Sequence, residues 1–298
     1  MRTHWVMDYE TLSNCFIAVF EDIKSEHREI FVVHESQNDI LELVEFLQGN
    51  IAREEWHVSF NGLGFDSQIT EYILRNRDTV IHNTGESIAR WLYGKAQDII
   101  GRQNRQEFLE FSPRDLQINQ VDVFKLNHWD NPAKRSSLKW IEYSMDWNNV
   151  RDMPIKHSTV IRTKEQLDTI ISYCINDVLA TKQVMMLSKD QIMLRKALTN
   201  EYGINLYSAS EPKISKELFL HFLSSKLNIR KYDLKQMRTK RDSIVVGDIL
   251  LDYISFNRKE FKNIHEKFKT LKINPNDTKG GFKYSVTHKS VKTDFGLG

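Results

Sequence analysis

The chain predicts a mixed sheet covered by helices, an α/β or α+β layer fold, and three observations carry that prediction. Runs rich in β-branched and aromatic residues, His4 to Tyr9, Cys15 to Phe20 and Ile30 to Val33, succeed one another as strands. Helical periodicity then takes over through Ile40, Leu41, Val44 and Leu47, yields to a strand at Trp56 to Phe60, and returns after Asp66. Apolar residues make up 40% of the 298 and charged residues 28%, with no run of about 18 apolar residues. A soluble globular chain with no membrane span is therefore expected.

Each element has its local reason. The helix from Gln37 to Gln48 is expected to stop at Gly49-Asn50, a favourable C-cap pair. A second helix starts near Asp66, with Ile69, Tyr72, Ile73 and Leu74 as its apolar face, and a third spans Ser87 to Ile100. The polar stretch from Gly101 to Arg114 is a loop, and Val121 to Phe124 a short strand. After a loop at Asn127 to Arg135, Ser136 or Ser137 caps a short helix through Tyr143. Thr163 with Gln166 forms a capping box that opens a long helix to about Met186, and another helix runs from Asp190 toward Tyr202.

Beyond Tyr207 the composition shifts. Helices expected at Ile214 to Leu227 and Phe256 to Leu271 flank an expected hairpin, Ile244 to Tyr253, and Phe282 to Leu297 alternates like an exposed strand pair. From Lys226 onward there are 17 Lys and Arg against 8 Asp and Glu, whereas the first 225 residues hold 25 against 32. A basic end behind an acidic body suits a polyanionic partner. Residues 1–205 read as one domain and 206–298 as a helical and hairpin extension. The opening Met1-Arg2-Thr3-His4 leads straight into a strand, unlike a signal peptide. Cys15 and Cys174 form neither a metal pattern nor a disulfide framework and read as small core residues of a reducing cytoplasm.

Three acidic motifs stand out. Asp8 and Glu10 lie two residues apart on the first strand, so they share one face, about 7 Å apart along the chain. Such a D-x-E pair arises about once by chance in a chain this long, and it acquires meaning only beside the two motifs downstream of it. Asn61-Gly62-Leu63-Gly64-Phe65-Asp66 turns a strand into a helix and puts Asp66 at the helix N-terminus, where the macrodipole favours negative charge. Tyr173 and Asp177, four apart on the long helix, share a face beside the apolar Ile170, Ile171, Ile175 and Val178. Clustered carboxylates repel unless cations separate them, and Mg²⁺ or Mn²⁺ prefers such oxygens.

The ordered set D-x-E, N-x-x-x-F-D and Y-x-x-x-D resembles the DEDDy 3′–5′ exonucleases, with an RNase H-like (DnaQ-like) α/β fold, and specifically the proofreading domains of DNA polymerases. Val121-Asp122-Val123-Phe124, Ser137-Leu138-Lys139-Trp140 and the ending Tyr284 to Gly298 resemble phage-type family B polymerases. The motif-bearing part covers about Met1 to Lys189, and family A proofreading domains carry similar motifs. Two sequences expected of a family B polymerase, an Asp followed by Ser-Leu-Tyr-Pro and a later Tyr-x-Asp-Thr-Asp, are absent. The chain alone is therefore not expected to extend a primer, and it reads as ending short of the palm.

The resemblance implies catalysis by Asp8, Glu10, Asp66, Tyr173 and Asp177, with two divalent ions, Mg²⁺ or Mn²⁺, held by the four acids. One ion would activate water and the other stabilise the leaving 3′ oxygen, with Tyr173 orienting the water as a neutral phenol. Thr11, Asn61, Phe65, Ser137 and Leu138 resemble residues that hold single-stranded DNA. The implied partners are a single-stranded 3′ end or primer-template DNA and a polymerase palm in cis or in trans. The implied place is the cytoplasm of a host cell. A free-standing exoribonuclease with the same site and a catalytically silent DNA-binding module are the alternatives. His4, His57 and His157 are expected to be capping or surface residues.

Overall fold

In the computed structural model, residues 4–131, 133, 135–237, 241–274, 282–288 and 291–297 are described. They divide into two compact units, 1–219 and 220–298. The first unit opens with the antiparallel neighbours β1 (Trp5–Leu12), β2 (Cys15–Asp22), β3 (Arg28–His34) and the short β4 (Gln37–Asn38). Helix α1 (Ile40–Ala52) leads to β5 (Trp56–Ser59), a 3₁₀ turn at Gly62–Gly64, α2 (Asp66–Arg75), α3 (Arg77–Val80) and α4 (Gly85–Asn104). Then come β6 (Asn119–Asp122), α5 (Val123–Leu126), α6 (Leu138–Ser144), α7 (Lys164–Leu187) and α8 (Lys189–Tyr202). One six-stranded mixed sheet results, in the order β4-β3-β2-β1-β5-β6, with β5 parallel to β1 and β6 parallel to β5.

The two-residue period of the central strands sorts side chains onto two faces. Trp5, Met7 and Tyr9 join Phe16, Ala18 and Phe20 in a core with residues of α1, α2 and α4. Val6, Leu12, Ile17 and Val19 form a second core with Ile170, Cys174 and Val178 of α7. Phe16 and Phe20 are fully buried, each contributing about 1.5–3 kcal/mol. The α/β architecture with helices on both faces is the one expected.

Several boundaries move for physical reasons. Helix α1 does not stop at Gly49-Asn50; Asn50 is fully buried, with its Nδ2 3.0 Å from His57 Nε2, and that tertiary partner carries the helix on to Ala52. His57 is correspondingly a core residue rather than a surface one; burial depresses its pKa to about 3, so it is neutral. The first residues of the expected 101–114 loop prolong α4 to Asn104. The expected strand at Val121 to Phe124 breaks after Asp122. The Asp122 carboxylate accepts the N–H groups of Phe124 and Lys125 at 3.0 and 3.2 Å and so starts a helix. The Thr163–Gln166 capping box forms as expected and opens the 24-residue α7.

Leu206, Ala209 and Ile214 pack with Leu198, Ile204 and Leu218, which extends the first unit past residue 205 to Phe219. The unit boundary falls inside α9 (Glu211–Leu227). The second unit holds α10 (Lys231–Gln236), β7 (Ile244–Val245), α11 (Lys259–Lys269), β8 (Lys272–Ile273), β9 (Phe282–His288) and β10 (Val291–Leu297). In place of a hairpin across Ile244 to Tyr253, β7 pairs antiparallel with β8, Ile244 opposite Ile273, and a 3₁₀ turn begins at Val246. The final strand pair, β9 with β10, is antiparallel as the alternation implied. Among the described residues, no helix is long and apolar enough to cross a membrane.

Candidate functional site

Asp8 and Glu10 project from β1 on the face shared with Val6 and Leu12, over which α7 crosses. Glu10 is buried and Asp8 partly exposed. Tyr173 and Asp177, one turn apart on α7, are both buried. Carboxylate oxygens of Asp8, Glu10 and Asp177 lie within 4.8 Å of one another, and the Tyr173 hydroxyl hydrogen-bonds Asp177. Acids 167 residues apart thus meet because the D-x-E parity and the Y-x-x-x-D helical spacing aim at the same layer.

Asp66 enters from the first turn of α2 and is 3% exposed. It stands outside the close trio, yet its charge acts on both Asp8 and Glu10. Its Oδ1 is buried without a hydrogen-bond partner. The turn that delivers it is held from β6. The Asp122 carboxylate accepts the N–H of Asn61 at 3.0 Å and of Leu63 at 3.1 Å, besides the two donors of α5. Asn61 takes φ 64°, a left-handed conformation that asparagine tolerates. Gly62 is required by space, since a Cβ there would sit 1.8 Å from Ser59 Oγ.

Lysine supplies the cation that faces this acidity. Lys139 Nζ, from the first turn of α6, lies 2.5 Å from Asp177 Oδ1 and 3.1 Å from Glu142 Oε1, and 4.7 Å from the Tyr173 ring centroid. Glu142 is itself fully buried. The Cys174 thiol sits 3.5 Å from the Asp8 carbonyl oxygen and 3.8 Å from its Oδ2.

The electrostatics follow from burial and crowding. Burial, then the charges of Asp66, Glu10 and Asp177, drives the Asp8 carboxyl well above its ordinary range. Burial and the charges of Asp177 and Asp66 push Glu10 up to about 8. Burial, with Asp122 adding to it, pushes Asp66 up to about 7, against its own N–H and that of Tyr9. Asp177 is raised by burial, with Lys139 opposing. Tyr173 is pushed upward by burial and then by Asp177, so its phenol stays protonated at neutral pH.

The other residues singled out in the sequence lie on the elements that carry these groups, Thr11 on the strand face opposite to Glu10. Thr11 is buried near the end of β1. Asn61 and Phe65 are half-buried on the turn to Asp66, Phe65 against the first core. Ser137 is exposed and caps α6 by accepting the Trp140 N–H at 3.2 Å, and Leu138 packs on the second core. Sequence reasoning missed Lys139 and Glu142, which lie 38 and 35 residues before Asp177 and carry no spacing signal, and it missed the bracing role of Asp122. No protein-family model, no curated protein and no solved structure matches this chain.

Proposed function

We propose that this chain is a metal-dependent 3′–5′ exonuclease on an RNase H-like fold, hydrolysing phosphodiesters at single-stranded DNA ends as the proofreading part of a DNA-directed DNA polymerase. The observation that carries the reading is the meeting of Asp8, Glu10 and Asp177 within 4.8 Å, with Tyr173 hydrogen-bonded to the last. The strand order is compatible with the fold, having β1 between an antiparallel hairpin and a parallel neighbour.

The donor set suits two hard divalent cations, Mg²⁺ or Mn²⁺. Every candidate ligand is a carboxylate oxygen, and Asp66 Oδ1 is buried without a partner. Among the described residues, Lys139 is the cation whose charge lowers Asp8, Glu10 and Asp177. Oxygens 2.0–2.1 Å from one Mg²⁺ stand no more than about 4.2 Å apart, a modest side-chain adjustment from the present spacing. Such ions, when bound, supply Lewis acidity and a nucleophilic water at neutral pH. Asp8, Glu10 and Asp177 would hold one, and Asp8 with Asp66 the other.

The chain's own groups do the positioning. Tyr173 keeps its proton and donates it in a hydrogen bond to Asp177, which leaves the hydroxyl oxygen to orient the attacking water by accepting a hydrogen bond from it. Lys139 opposes the burial that raises the Asp177 pKa and so favours its ionised form. Asn61, Phe65, Thr11, Ser137 and Leu138 are assigned to the single strand, and the palm, in cis or in trans, is the expected partner.

The test is a time course on 5′-labelled single-stranded DNA and its RNA counterpart with Mg²⁺, Mn²⁺ or chelator. A ladder shortening from the 3′ end, faster on DNA and stopped by chelator or by Asp8→Ala/Glu10→Ala, is expected. A double variant as active as the parent would overturn the assignment.

A further inference from the structure

Helix α6 turns two large rings outward. Trp140 is 60% and Tyr143 70% exposed, one turn apart, with ring centroids 5.9 Å from each other and planes inclined by 30°. Two such rings side by side in solvent present flat apolar faces on which another ring can stack. Beside them lies an open hollow of about 530 Å³ lined by Tyr143, Ser144, Asp146, Trp147 and Val150.

The helix bearing these rings and the segment after it are fastened to α7 at Asn176 and Asp177. Lys139 bonds Asp177, while Trp147 Nε1 and Asn149 Nδ2 donate to Asn176 Oδ1 at 3.1 and 3.0 Å. Leu138, Ile141 and Met145 pack on the second core beneath. The outward face is therefore held in register with α7, which carries Asp177. Tyr143 follows Lys139 by four residues, which puts their Cβ atoms about 6 Å apart on one side of the helix.

We propose that Trp140, Tyr143 and the adjoining hollow seat unpaired nucleobases of a single strand whose 3′ end lies at Asp8, Glu10 and Asp177. This rests on the nuclease reading and names how that site would hold its substrate. Base faces stack on exposed aromatic rings whatever the sequence. The lining includes Asp146 and neither Lys nor Arg, so the hollow disfavours phosphate. Ser144 and Asp146 offer polar groups to a base edge. The backbone would run past Lys139, outside the hollow.

The test is fluorescence anisotropy of the full chain with a 5′-labelled single-stranded DNA in chelator, which prevents turnover. A matched strand lacks bases at the positions just upstream of the 3′ end. Trp140→Ala and Tyr143→Ala are each expected to weaken binding of the intact strand about 5- to 100-fold. They should add nothing on the base-lacking strand, which the parent should bind as weakly as the variants bind the intact one. Trp140→Phe and Tyr143→Phe keep a ring and should restore most of the affinity, which separates stacking from misfolding. Equal binding of the intact strand by parent and alanine variants would overturn the proposal and leave the face to a protein partner. Equal losses on both strands, or a parent that binds no DNA, would also overturn it. Cleavage with Mg²⁺ is scored separately: cleavage without need of the rings sinks this inference alone, and ring-dependent binding without cleavage sinks the nuclease reading alone.

Discussion

Lys139 Nζ lies 2.5 Å from Asp177 Oδ1 and is shared with the fully buried Glu142. One ammonium on a short helix thus compensates two buried carboxylates and ties α6 to α7.

Replacing it has two consequences with different readouts. Lys139→Met leaves Glu142 buried and unpaired, at a cost of about 2–3 kcal/mol in denaturant unfolding, below the range for a fully buried pair because the lysine is 22% exposed. Lys139 lowers the Asp177 pKa, so its loss raises that pKa and moves the acid limb of the pH–rate profile toward higher pH. An unmoved acid limb would show that Lys139 is a structural clamp and nothing more.

The carboxylate cluster sets a pH dependence of stability with a definite sign. An acid whose folded-state pKa exceeds its unfolded value binds more protons when folded, so stability falls as pH rises between the two values. For Glu10 the window runs from 4.5 to about 8, and for Asp66 from 3.8 to about 7. The metal-free melting temperature should therefore drop by several degrees between about pH 5 and pH 8.5. Glu10→Gln or Asp66→Asn should flatten the curve, and saturating Mg²⁺ should raise the melting temperature more at pH 8.5 than at pH 5. A metal-free protein most stable at alkaline pH would contradict the cluster's electrostatics.

Tyr173→Phe removes a hydroxyl bonded to Asp177 while keeping the ring beneath Lys139. One hydrogen bond is worth about 1 kcal/mol, so kcat should fall about 5-fold with KM little changed. A drop of three or more orders of magnitude would instead assign the phenol to proton transfer.

Asp122→Ala leaves the N–H groups of Asn61, Leu63, Phe124 and Lys125 without their acceptor. The expected cost is about 3 kcal/mol by denaturant unfolding, and activity should fall further because the turn aiming Asp66 loosens. Gly62→Ala should lose activity by the same route, since the added methyl collides with Ser59. Full activity in both variants would detach the turn from the site.

The sequence alone determined those features that a local period or a local hydrogen bond can encode. The shared face of Asp8 and Glu10 follows from strand alternation, the pairing of Tyr173 with Asp177 from the helical turn, and the start of α7 from the Thr163–Gln166 box. Tertiary structure decided what depends on contacts across the chain. Asn50 holds α1 past a glycine by bonding His57, Asp122 halts a strand and braces a turn 61 residues earlier, and Lys139 reaches Asp177 across 38 residues. The physical reason is one of range: dihedral preferences and caps act within a turn or two, while the cost of burying charge is met by whichever partner the packed layers bring near.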